Sequence, residues 1–165
     1  MPDGLYERDA LAWAEQQAEL LRRLAAGERV NAAVDWPHVI EEVHDLGLSE
    51  LRACQSLLQQ AIMHLLKLHA WPDDPAASHW REEAGIFLDD AERRFAPSMR
   101  QRIDLDKLYA KALRRARANA TSPVGSAALP GVCPFDIDDL LSGDLERLLP
   151  KLAAQPGSET VAPPG

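Results

Sequence analysis

Apolar residues recur every three or four positions along most of the chain, and alternation of period two is absent, so the pattern predicts helices and no strands. With side chains about 100° apart around a helix axis, five segments gather their apolar residues on one arc. The first runs from about Asp9 to Ala26, where Trp13, Leu20, Leu21 and Leu24 share an arc with Gln17 as its only polar member, and Gly27 is placed to stop it. The second is short. Asp35 caps it, Pro37 sits in its first turn, Val39, Ile40, Val43 and Leu46 form its inward side, and Gly47 ends it. Ser49 opens a third, longer helix to about Trp71. Its wide apolar arc, from Leu51 and Cys54 through Leu58 and Ile62 to Leu68, predicts a central helix with neighbours on two sides.

Pro72 and the run DDPAAS form the next loop. Ser78, followed by Glu82 and Glu83, opens a fourth helix in which Trp80, Ala84, Phe87, Leu88, Ala91 and Phe95 share a face, and Pro97 ends it. A fifth reaches Asn119 with Leu105, Leu108, Tyr109, Ala112 and Ala116 inward. Its start is open between Ser98 and Asp104, the latter with Ile103 and Leu108 as a hydrophobic staple. The Pro/Gly/Ser-rich stretch TSPVGSAALPGVCP is a connection. A helical turn from Asp136 to Leu141 follows, presenting Phe135, Ile137 and Leu140 as a docked lid. The expected fold is all-α: an antiparallel helical bundle of four main helices plus one short capping helix and a C-terminal helical turn. The bundle is expected to be a single domain over residues 1–149, with residues 150–165, ending in QPGSETVAPPG, as a flexible tail.

Composition narrows the functions. The chain has 165 residues, 46% hydrophobic and 27% charged, which suits one globular core. Its net charge of −8 disfavours a general polyanion binder. No apolar stretch is long enough for a membrane helix, and the start MPDGLYERDA lacks a basic segment followed by an apolar one, so a cytoplasmic protein without membrane attachment is expected. Cys54 and Cys133 stand far apart with no metal-binding spacing, and both are expected to be reduced and structural.

The stretches LYERDALAWAEQQAELLR, DWPHVIEEVHDLGLSE, MHLLKLHAWP, SHWREEAGIFLDD and CPFDIDDLL resemble, in order and spacing, the bacterial family known as domain of unknown function number 29. The resemblance spans about Leu5 to Leu141. Its most specific pieces are Asp35 to Glu42, His64 to Lys67 and Ser78 to Trp80. The aromatic residue usual after HLLK is displaced here, with Leu68 and His69 preceding Trp71. The resemblance implies an all-helical fold and brings no reaction, substrate or cofactor with it.

Candidate chemistry lies mainly in the second to fifth segments. Glu41 and His44 form a Glu-x-x-His pair one helical turn apart, the spacing of dimetal bundles, but a second copy is missing and their side reads as a solvated polar face. The better metal candidates are Glu42, His64 and His69, with His79 and Glu83 as further carboxylate and imidazole donors. His64 and His69 fall about 140° apart on a helix, which works against one ion holding both, so neither a metal nor another cofactor is expected. Lys67 beside His64 invites an acid/base role, yet no nucleophile, phosphate loop or dinucleotide fingerprint accompanies it. Between Arg93 and Arg117 nine basic residues meet two acidic ones, and Arg100, Lys107, Lys111, Arg114 and Arg115 are assigned to one face of the fifth helix. No aromatic residues alternate with them for base stacking, which disfavours nucleic acid. The expected function is a non-enzymatic interaction module whose acidic and basic surfaces recognise a protein partner or a second copy. The competing readings are a metal-assisted enzyme with a His/Glu site between the second and third helices and, more weakly, nucleic-acid binding. Glu41, Glu42, His64, Lys67 and Trp80, drawn from the most specific stretches, are the candidate binding residues.

Overall fold

A computed structural model describes residues 4–120, 122, 125, 126 and 128–154. Seven α-helices are described: α1 (Leu5–Arg8), α2 (Ala10–Ala25), α3 (Trp36–Ala70), α4 (Ala77–Arg94), α5 (Leu105–Ala118), α6 (Ile137–Leu141) and α7 (Leu145–Ala153). Two single 3-10 turns, Asn31–Ala33 and Pro97–Met99, join them, and no strand occurs among the described residues. No described helix is long and apolar enough to cross a membrane. The helices distribute over two compact units that divide between Ser49 and Glu50.

The second and third expected helices are one. Gly47 does not stop the helix: its φ is not positive, in contrast to Gly27, whose φ of 89° lets the chain turn away after α2. A glycine inside a helix costs only about 1 kcal/mol against alanine. The strong helix-forming run SELRACQ beyond it, with no proline, carries the helix through, and Ser49 becomes an interior position. Two other boundaries move for local reasons. The helix α4 starts at Ala77 with no side-chain cap, because the amide of Ala76 is taken by Asp74 one step earlier (2.8 Å), so Ser78 lies inside the first turn. Asp104 decides the start of α5, its carboxylate accepting the Lys107 amide at 3.1 Å, while Ser98 belongs to the separate Pro97–Met99 turn.

The unit beginning at Glu50 is built on the C-terminal half of α3. Leu58, Ala61, Ile62, Leu65 and Leu66 are fully buried there, packed with Ala84, Leu88 and Ala91 of α4 and Ala112 and Ala116 of α5. The direction of α4 is antiparallel to α3: Glu50 pairs with Arg94, the Cys54 thiol meets the Ala91 carbonyl, His64 stacks on Phe87, and Lys67 lies over Trp80. Tyr109, 1% exposed, donates its hydroxyl to the Pro130 carbonyl at 2.7 Å and so pins the connection after α5 to the core. Both cysteines are free, and burial pushes both thiols up, which suits inert core positions.

The expected C-terminal turn is α6, held by a reciprocal capping box between Asp136 and Asp139. The helix α7 follows it, unforeseen because Pro150 reads as a breaker. Proline here removes one hydrogen bond in a helix otherwise fixed by the Asp144 cap and by buried Leu148 and Leu152. The helix runs past the boundary expected after Leu149. Asp139, 3% exposed, ties the two together through Lys151 (2.6 Å) and Arg147 (3.6 Å). Burial works against its charge, but the Lys151 contact and the Asp136 amide outweigh it and hold the carboxyl below the usual range. Of the tail expected over residues 150–165, residues 155–165 lie outside the described residues.

The continuity of α3 is directly testable. A Cβ added at Gly47 meets nothing within 4 Å, so Gly47→Ala should stabilise the protein by about 0.5–1 kcal/mol in urea denaturation. Destabilisation would mean that the helix ends there after all.

Candidate functional site

In the first unit the start of α3 is fastened to α1 and α2 through its polar side. Asp35, whose side chain is 7% exposed, accepts from the Trp13 indole N–H at 3.0 Å and from His38 Nδ1 at 2.7 Å. The Asp35 backbone N–H donates to the Gln17 amide oxygen at 2.8 Å. Gln17 is 5% exposed, so the polar residue on the apolar arc of α2 is there to satisfy the chain entering α3. One turn along, the Tyr6 ring stacks on His38 with centroids 3.9 Å apart, and its hydroxyl donates to Glu42 Oε1 at 2.6 Å.

These contacts set the protonation states. The His38 hydrogen bond, helped by Trp13, holds the Asp35 carboxyl below its ordinary value, and the same bond raises His38. The hydrogen bond to Glu42, with the nearby charges of Glu41 and Asp45, pushes Tyr6 up to about 12. Beside the cluster lies a cavity of about 430 Å³ lined by Leu5, Tyr6, Trp13, Gln16, Asp35 and Pro37, among others. A carboxylate orienting an imidazole is a known general-base arrangement. Here the Tyr6 ring stacks on the imidazole, no serine, threonine or cysteine lines the cavity, and the cluster reads as a splint.

Past this cluster the helix is open all round: every residue from Ile40 to Gly47 is exposed, polar and apolar alike. Ile40 is 64% exposed, Val43 69% and Leu46 68%, which corrects the expectation that these residues form the buried side of the second helix. Glu41 and Glu42 are exposed as well, Glu42 engaged with Tyr6 and Glu41 with no Lys or Arg partner among the described residues. The first half of α3 therefore displays Ile40, Val43 and Leu46 to solvent on one arc, with Glu41 and Asp45 on the opposite side near Tyr6.

The remaining candidates fall in the second unit. His64, Lys67 and Trp80 come together between α3 and α4, apart from Glu41 and Glu42, which belong to the first unit. Lys67 Nζ sits 5.4 Å from the Trp80 ring centre, a cation–π contact. His64 stacks on Phe87 at 5.6 Å with Nδ1 buried and unpartnered, and burial, then the charge of Lys67, lowers its pKa, so it is neutral near pH 7. His69 instead lines an open groove of about 480 Å³ with Pro72, Ser78, Arg81 and Leu149. Among the described residues no three His, Cys, Asp or Glu side chains are grouped to hold a metal ion, and Glu42, His64 and His69 are not brought together.

The basic face is smaller than expected. Arg100 precedes α5, following the Pro97–Met99 turn, and makes a two-pronged contact with Asp138 at 2.8 and 3.0 Å. Lys107 lies 3.7 Å from Asp104, while Lys111, Arg114 and Arg115 remain exposed on α5. Tyr6 and His38 were not foreseen as functional positions. The only sequence signal for the cluster was Gln17 interrupting an apolar arc.

Opposite pKa shifts at the two imidazoles give a pH signature. His38 should titrate above its ordinary 6.5 and His64 below it, read by proton NMR of the ring resonances. His38 then contributes stability below pH 6.5 that is lost as pH rises through its folded value. His64, neutral in the fold, stabilises above 6.5 and its contribution fades as pH falls toward its folded value. Asp35→Asn should lower His38 and leave His64 in place; an unmoved His38 refutes the pairing.

The comparisons agree with this architecture. A crystal structure of an alpha-helical protein of unknown function from Rhodospirillum rubrum is similar over 89% of this chain and 96% of that chain, with a TM-score of 0.67 and 29% sequence identity. No curated protein matches the chain. The family described as domain of unknown function DUF29 matches residues 5–145, which is most of the sequence, and the chain belongs to that family.

Proposed function

We propose that this protein is a non-enzymatic interaction module that engages another protein through the exposed stripe on the first half of α3. The observation that carries the reading is the exposure of Ile40, Val43 and Leu46, each 64–69% open to solvent on one helix face. Single exposed leucines are ordinary on protein surfaces, whereas aligned apolar side chains one turn apart form a patch. Full burial of each against a partner is worth about 1.5–3 kcal/mol, enough in sum for a specific contact. The polar splint beneath supports the reading too: Asp35, Trp13, Tyr6 and Gln17 fix the helix so that the stripe is presented without rearrangement. Pre-ordered surfaces lose less entropy on binding.

Photo-crosslinking in cells tests this. A benzoylphenylalanine in place of His44, beside the stripe, should give a discrete adduct that disappears when Ile40 and Leu46 are both changed to Ser. The same probe at exposed Glu19 on α2 should give none. Because the two side chains are in solvent, the double variant should keep its stability within about 0.5 kcal/mol per site. Equal adducts from both positions, an adduct that survives the double substitution, or none at all would overturn the proposal.

A further inference from the structure

We infer that the cavity beside the Asp35 cluster binds a small neutral molecule, one with a flat apolar body and a carbonyl or similar acceptor oxygen. The site uses none of the exposed α3 stripe, so it stands or falls apart from the interaction reading above. Gln17 supplies its polar anchor. The side chain is 5% exposed, yet half of its amide is unused. Its oxygen accepts from the Asp35 backbone N–H, which fixes the amide's orientation, because a flipped amide would set two donors against each other. Its nitrogen donates to no described residue. Nor is that nitrogen sealed away: among the described residues the side-chain polar atoms both sealed and unpartnered are His64 Nδ1 and Trp71 Nε1. A buried donor that is neither paired nor sealed opens on accessible space, and the space that Gln17 lines is this cavity.

The walls set the rest of the ligand. The Tyr6 and Trp13 rings meet edge to face with centroids 4.9 Å apart, and both line the cavity together with Leu5, Val34 and Pro37. Flat apolar groups pack well against such rings. The polar ends of both rings are already engaged, the Tyr6 hydroxyl with Glu42 and the Trp13 indole N–H with Asp35. Charge argues against an anion. Asp35 lines the cavity and no Lys or Arg does, in a first unit whose 49 residues hold ten acidic and four basic side chains. An anion would give up its water beside a carboxylate with nothing to offset the loss. A cation is disfavoured too, since Asp35 already takes Trp13 and His38 and the free Gln17 group is itself a donor. The volume of about 430 Å³ falls within the range of about 300–1,000 Å³ usual for small-molecule sites.

The experiment uses the full chain, labelled with nitrogen-15, and three probes of similar size: benzamide, benzoate and toluene. Benzamide should shift the Gln17 side-chain amide and Trp13 indole resonances saturably in the low millimolar range, and the other two should bind about tenfold more weakly or not at all. Two variants locate the effect, with circular dichroism to show that each is folded. Ala33→Leu, at an exposed residue on the cavity wall, fills the space while leaving every hydrogen bond in place and should weaken benzamide about tenfold or more. Gln17→Glu keeps an oxygen for the Asp35 N–H but removes the free donor, and should erase the preference of benzamide over toluene. If that variant fails to fold, the three probes and Ala33→Leu still decide. The inference fails if benzamide leaves both resonances unmoved, if toluene or benzoate binds as well as benzamide, or if binding survives Ala33→Leu.

Discussion

A carboxylate withdrawn from water must be hydrogen-bonded, and in this protein the Asp35 carboxylate decides which way a helix faces. Its side chain is 7% exposed and takes N–H groups from Trp13 and His38. An unpaired carboxylate at that position would cost several kcal/mol, so α3 begins where Asp35 can meet the Trp13 indole and the His38 ring. His38 and Glu42 follow on the same side and are met by the ring and hydroxyl of Tyr6. Trp36 and Val39 are half-buried beside this cluster, while Ile40, Val43 and Leu46 stand in solvent.

The same helix obeys the opposite rule further along. Beyond Glu50 its apolar arc is buried at nearly every step, from Leu51 and Cys54 to Leu66. Hydrophobic burial, proportional to area, dominates there, while in the first unit a few directional hydrogen bonds do. His64 is half-buried at the edge of this core, its Nδ1 buried and its ring stacked on Phe87. A neutral ring tolerates that setting better than an imidazolium would.

This division explains what could be read from residue order. Periodicity located the apolar arcs of α2, α4 and α5, because that signal is local and acts within one turn, whereas the start of α5 stayed open between Ser98 and Asp104. It also located the arc at Ile40, Val43 and Leu46. A helical wheel gives the position of a face but not what the face meets, and the inward direction assigned to it was wrong because Trp13, Gln17 and Tyr6 lie 18 to 36 residues away from their partners. Gly47 misled for a related reason. Glycine ends a helix when the chain needs a left-handed residue, as at Gly27, and a sequence does not state that need. Pro150 hid α7 in the same way, one unfavourable residue outweighed by Leu148, Leu152 and the Asp144 cap.

The candidate binding residues divide along the same line. Glu41 and Glu42 belong to the first unit, where Glu42 accepts from the Tyr6 hydroxyl and both charges act on that phenol. His64, Lys67 and Trp80 meet across α3 and α4, where the ammonium covers an indole and the half-buried imidazole stacks on Phe87, so their first duty is to the core seam. A lysine stem lying along an aromatic ring shields apolar surface while keeping its charge in solvent, which is how a charged side chain helps close a helix pair. The splint at Asp35 has no comparable excuse in packing: an apolar contact between α2 and α3 would have joined them with less demanding geometry. What the polar arrangement achieves that an apolar one would not is a fixed helix rotation, and with it an apolar surface held outward at a constant angle.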